Sequence, residues 1–194
     1  MTAPPVTHPS PDLPSSVRLR SPADLVAFTP YLLGFRPARS VVLVGFRAGL
    51  VAFAARGDLP DPGDPVADPA HELADLTARQ QPTDAVALLG YGPAGAVDPV
   101  LAAVHDATRE RGLRVVEVLR VASDRWWSYL CHNPDCCPPE GVPVDPASSE
   151  VLAWCGYAGL TAAGSRQELA DRIAPVGGAE RAAITRAVDR AEQE

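Results

Sequence analysis

Apolar positions along this chain fall into two rhythms. Val41-Val42-Leu43-Val44-Gly45-Phe46, Leu50-Val51-Ala52-Phe53-Ala54-Ala55, Ala85-Val86-Ala87-Leu88-Leu89 and Val115-Val116-Glu117-Val118-Leu119 are short apolar runs bounded by turn residues. Their length and β-branched content predict strands. Elsewhere the apolar residues recur at helical spacing: Leu25, Phe28, Leu32; Leu73, Leu76; Val100, Leu101, Val104; Val151, Leu152; and Leu169, Ile173. Ser21-Pro22, Asp68-Pro69, Asp98-Pro99 and Asp145-Pro146 place a capping oxygen ahead of a proline before these segments, and proline suits the first helical position because it has no N–H to lose. Ser165 with Glu168 adds a capping box.

Order along the chain turns these elements into a fold. Arg47-Ala48-Gly49 has the length of a three-residue hairpin loop. The runs at Ala85 and Val115 bracket a helix over about 98–111, a β-α-β crossover that predicts two parallel strands, adjacent or nearly so. Strands apolar on both faces need cover on both sides. The expected fold is therefore a single-domain three-layer α/β sandwich, with a mixed, mostly parallel sheet flanked by helices. Residues 1–16 carry five prolines and read as a disordered tail, while residues 17–194 form one domain that ends in an amphipathic helix over 178–193. Val17-Arg18-Leu19 is a candidate edge strand.

With 194 residues the chain can bury a full core without staples. The formal net charge of −7, with every cation an Arg, opposes nucleic acid and anionic lipid, so the expected partner is a small molecule or a protein. No apolar run approaches a membrane span and the N-terminus lacks a signal-peptide core, so a cytoplasmic address with reduced thiols is expected. The Pro- and Asp-rich segment 57–67 reads as a solvated surface loop: Asp58, Asp61 and Asp64 lack the spacing of a calcium loop.

Two motifs carry candidate chemistry. Gly90-Tyr91-Gly92-Pro93-Ala94-Gly95 matches G-x-G-x-x-G, with Glu117 further on. Pro93 removes an N–H donor, a helix start at Asp98 would lie too late for a phosphate, and Glu117 falls inside a strand rather than at its end. The loop reads as a plain strand-to-helix connection, and NAD is not expected.

The second motif is Trp126-Trp127-Ser128-Tyr129-Leu130-Cys131-His132-Asn133-Pro134-Asp135-Cys136-Cys137. As a strand it alternates, with Trp126, Ser128 and Leu130 on one side and Trp127, Tyr129 and Cys131 on the other. Asn133-Pro134-Asp135 then folds Cys136 and Cys137 back toward Cys131. Four readings stand: zinc held by Cys131, His132, Cys136 and Cys137; a disulfide from Cys131 to Cys136 or Cys137; a nucleophilic or redox cysteine, for which Arg125 and His132 are near in sequence while Asp135 and Glu140 work against it; or thiols that pack a turn. Cys155 could join a metal set only if the next helix folds over the loop. Arg120, Arg125, Trp126, Tyr129, Cys131 and His132 are candidate lining for one pocket near the strand end, where α/β sheets bind ligands.

The phrases "SPADLVAFTPYLLGFRPARSVVLVGF", "GLVAFAARGDLP" and "RVVEVLRVASDRWWSYLCHNPDCCPPEG" resemble the actinobacterial DUF4192 family over about residues 17–175. That resemblance implies no activity, cofactor or catalytic residue. Function is expected to be that of a binding or regulatory module, with an enzyme using a pocket near Trp126–Cys137 and a small zinc-stabilised domain as alternatives.

Overall fold

The computed structural model describes residues 19–80, 82–145 and 149–192. The expected tail and most of the Val17-Arg18-Leu19 segment lie outside them; Leu19 itself packs against the core without joining a strand. Among the described residues six strands form one sheet: β1 (Ser40–Arg47), β2 (Leu50–Asp58), β3 (Ala85–Tyr91), β4 (Val115–Ala122), β5 (Arg125–Ser128) and β6 (Val142–Pro143). Their spatial order is β2-β1-β3-β4-β5-β6. The helices are α1 (Pro22–Leu33), α2 (Ala67–Arg79), α3 (Ala94–Glu110), α4 (Glu150–Tyr157), α5 (Arg166–Arg172) and α6 (Gly178–Ala191).

The central strands explain the layering. Val41, Leu43, Val86, Leu88 and Val118 point to one face, where they pack with Leu73 of α2 and with Val97, Leu101 and Val104 of α3. The intervening Val42, Val44, Ala87, Leu89 and Leu119 point to the other, against Leu25 and Val26 of α1. Phe28 of α1 turns outward onto Val151, Trp154 and Cys155 of α4. A strand buried on both faces can satisfy its apolar positions only between two layers of helix, and the three-layer expectation holds.

The sheet is mixed, but it is not mostly parallel. Only β3 and β4 run parallel; β1 pairs antiparallel with both β2 and β3, as β5 does with both β4 and β6. Parallel neighbours need a long crossover, and α3 supplies the single one that joins adjacent strands. The β1–β2 connection is tighter than the expected three residues: Arg47 pairs with Leu50, leaving Ala48 and Gly49, both at positive φ, as a two-residue turn of the kind that matches strand twist.

Three helix starts differ from the sequence expectation. Ser21 caps α1 and Ser165 caps α5 as expected, but α2 begins at Ala67 and α4 at Glu150, where Ser149 is the cap. In place of Asp98, α3 begins at Ala94, and Pro99 lies inside the helix. Segment 57–67 is also shorter as a loop than its composition implies, because β2 runs to Asp58 and Leu59 is buried in the core. At the other end α6 buries none of its residues, so Ile184 and Val188 of the expected apolar stripe stay exposed. Among the described residues, no helix is long and apolar enough to cross a membrane.

The early start of α3 gives the glycine loop its structural meaning. A Cβ on Gly90 would lie 2.2 Å from Val97 and 3.0 Å from Leu101, so this glycine lets the helix pack directly on β3. A Cβ on Gly95, in the first turn of α3, would meet nothing within 4 Å. Gly90→Ala is therefore expected to lower stability by about 1–3 kcal/mol through overpacking. Gly95→Ala is expected to be neutral or to stabilise by up to about 1 kcal/mol through helix propensity. Urea unfolding of the two variants checks the contrast.

Candidate functional site

The β4–β5 hairpin carries the site. Ala122 pairs with Arg125 across a two-residue turn, which sets Trp127 beside Arg120 and Ser128 beside Leu119. Because side chains alternate, Trp126 enters the α1 side of the sheet and is only 6% exposed. Trp127 lies on the α3 side, where the Arg120 guanidinium stacks 3.6 Å from its ring centroid. Tyr129, just past the strand, donates its hydroxyl hydrogen bond to Asp98 of α3. Burial, and then the Asp98 carboxylate, push the Tyr129 phenol up to about 12.

Beyond Ser128 the chain turns back in a tight loop that two side chains organise. Ser128 Oγ accepts from the backbone N–H of Leu130 at 3.2 Å and of Cys131 at 3.1 Å, and donates to Glu117 Oε1 at 2.8 Å. Asn133 Oδ1 accepts from the Asp135 N–H at 3.0 Å, while its carbonyl accepts from the N–H of Cys136 at 3.3 Å and of Cys137 at 2.8 Å. Such local bonds are why Asn and Ser favour turns over regular structure. The far end of the loop is tied to the same hairpin: Arg125 donates to the Gly141 carbonyl at 2.6 Å and Trp127 Nε1 to the Pro139 carbonyl at 3.0 Å. Gly141 has φ +82°, and a Cβ there would lie 2.4 Å from the Trp127 ring.

The outcome is a cluster of three free thiols. The Sγ atoms of Cys131, Cys136 and Cys137 all lie within 4.8 Å of one another, with Cys131 and Cys136 at 3.3 Å. Cys136 is exposed and the other two are half-buried. Their acidities diverge. The neighbouring Cys137 thiol, followed by the Asn133 backbone N–H, holds Cys131 below its ordinary value. The same contact acts in reverse on its partners, raising Cys136 and pushing Cys137 up to about 12. Cys131 is the sulfur on which the first negative charge settles.

The six residues expected to line one pocket are not gathered into one. Arg120 and Tyr129 share the α3 side, Trp126 is buried on the opposite side, and Arg125 is engaged with loop carbonyls. His132 is exposed and lies outside the thiol group, so of the four candidate ligands the structure assembles the three cysteines. Cys155 is fully buried against Phe28 and Val151, away from the others. A recess of about 300 Å³ between α3 and the hairpin is lined by Asp98, Leu101, His105, Val118, Tyr129 and Leu130, stopping one residue short of Cys131.

Sequence reading missed Ser128, Glu117 and Asp98 as organisers. Ser128 stands three residues before Cys131, which was a readable turn signal. Glu117 and Asp98 come from distant segments and carried no local signal. Glu117 also bears on the dinucleotide motif, because its carboxylate is taken by Ser128 and by the Val118 N–H at 2.9 Å.

Fold and turn together define an α/β sandwich with a three-thiol loop at one end of its sheet. The family model described as Domain of unknown function (DUF4192) matches residues 22–194, and the chain belongs to that family. No curated protein matches it.

Alkylation tests the thiol order. In native protein at neutral pH, iodoacetamide is expected to modify Cys131 first. Cys155, with no exposed surface and a thiol pushed up by burial, should react at least about tenfold more slowly. Peptide mass mapping over a time course reads the sequence of events.

Proposed function

We propose that this chain is a metal-binding regulatory module in which Cys131, Cys136 and Cys137 hold one soft or borderline cation, of the zinc or copper(I) class. The observation that carries this reading is the convergence of three sulfur donors within 4.8 Å on a single turn. A zinc–sulfur bond of about 2.3 Å places tetrahedral sulfurs about 3.8 Å apart. The 3.3 Å between Cys131 and Cys136 and the 4.8 Å limit of the group bracket that spacing. An all-sulfur donor set favours thiophilic ions over calcium or magnesium. Three sulfurs leave a tetrahedral ion one further ligand to find, from water, a small molecule or a partner's side chain.

The surroundings favour binding over catalysis. The two arginines on the hairpin are engaged elsewhere, Arg120 stacked on Trp127 and Arg125 donating to a loop carbonyl, so neither is free to hold an organic substrate beside the thiols. Unpaired thiols at the surface suit a reducing cytoplasm.

Elemental analysis of protein purified without chelator should find about one zinc or copper per chain, lost in Cys136→Ser or Cys137→Ser variants. Cobalt(II) titration of the apoprotein should give a thiolate-to-metal charge-transfer band. Absence of metal together with no cobalt band would overturn the reading.

The acidities set the pH dependence. Cys136 and Cys137 are raised and enter the complex only by losing protons to solvent, whereas Cys131 is already lowered. Affinity is therefore expected to rise with pH near neutrality, by up to about a hundredfold per pH unit if both protons leave. Competition titrations with a chromogenic chelator at a series of pH values measure the slope.

A further inference from the structure

The contact between Cys131 and Cys136 suggests how the site is controlled. Cys131 and Cys136 have their sulfurs 3.3 Å apart, while Cys137 is the sequence neighbour of Cys136. A disulfide needs about 2.05 Å, so the first pair lacks little more than about 1 Å. Side-chain rotation at exposed Cys136 can supply it while Asn133 keeps the backbone turn closed. A bond between Cys136 and Cys137 would close a very small ring and force their peptide from planarity. Cys136, exposed and 3.3 Å away, is taken as the partner of Cys131, with Cys137 within 4.8 Å as its rival.

We infer that Cys131 and Cys136 form a peroxide-responsive pair whose oxidation to a disulfide dismantles the metal site, an inference that rests on the metal-binding reading of the same turn. The Cys131 thiolate attacks one oxygen of a hydroperoxide, the O–O bond breaks, and the departing alkoxide or hydroxide takes a proton, leaving a sulfenic acid. Cys136 then attacks that sulfur as its thiolate, the S–S bond forms, and hydroxide leaves and is protonated to water. Two thiols lose two electrons in all, and the peroxide is reduced to water plus an alcohol, or to two waters when it is hydrogen peroxide.

Each sulfur has a role that its environment supports. Cys131 is the fixed member of the pair, its backbone N–H bonded to Ser128 Oγ at 3.1 Å and its sulfur 3.3 Å from Cys136. Cys136, as the exposed member, can swing to resolve the sulfenic acid before further oxidation. Cys137, half-buried beside them, stays a thiol. One sulfur is too few to retain a cation that three held, so oxidation and release are a single event.

Two measurements separate this inference from the reading beneath it. Apoprotein treated with hydrogen peroxide, trapped with an alkylating reagent and mapped by mass spectrometry, should show a Cys131–Cys136 link with Cys137 and Cys155 alkylated. Sulfinic acid at Cys131 without that link, or a link to Cys137 instead, overturns the pair. Metal-loaded protein mixed with peroxide and a chromogenic chelator should release its cation at least about tenfold faster than in buffer, in step with the disulfide. The Cys155→Ser variant should behave as the parent does. Disulfide formation with the metal retained overturns the coupling. If reduced protein never binds metal, the metal reading falls, and the coupling with it, while the mapping experiment still decides whether the pair is chemically competent.

Discussion

Burial of β1 and β3 on both faces is the constraint from which the architecture follows. Val42, Leu43, Val44, Val86, Leu88 and Leu89 have essentially no exposed surface. Water can be kept from both sides of such a strand only by helices above and below, so α2 and α3 occupy one side and α1, backed by α4, the other. Removing apolar area from water at about 25 cal/mol per Å² makes this the largest favourable term available to the chain. Everything peripheral, including the thiol loop, is then mounted on a rigid layer.

The loop inherits its order from that layer. The indole of Trp127 stacks on the Arg120 guanidinium and lies close to the backbone at Gly141, and its N–H reaches across to Pro139. Ser128 is fixed by Glu117 one strand away and passes that order to the amides of Leu130 and Cys131. Three sulfurs are held close before any cation or oxidant arrives. Preorganisation of this kind reduces the entropy lost on binding, and it explains how a short, proline-rich, partly exposed stretch can be a defined site.

How much of this was legible in the sequence depends on the range of the interactions involved. The layer count and the parallel β3–β4 pair follow from local apolar patterning, and Asn133-Pro134-Asp135 announces a turn that returns the cysteines to one another. Helix boundaries were less readable, because an Asp-Pro pair such as Asp98-Pro99 resembles a cap yet sits inside α3, whose first turn is set by packing over Gly90. The sheet's antiparallel majority was not readable from strands considered singly, since orientation is fixed by which strands become neighbours. The partition of Trp126 and Trp127 to opposite faces was visible in the alternation, but their different fates, one in the core and one under an arginine, needed β4 as a partner.

The two borders of the sheet are unequal, and this has a consequence for self-association. On one side β6 is two residues long and offers almost no backbone for another chain to extend. On the other, β2 presents nine residues whose outward amides and carbonyls meet no further strand among those described. Edge strands template aggregation when left open. Growth by strand addition is thus directional in this molecule, and the charged Arg56 and Asp58 near the end of β2 are where protection against it would be concentrated.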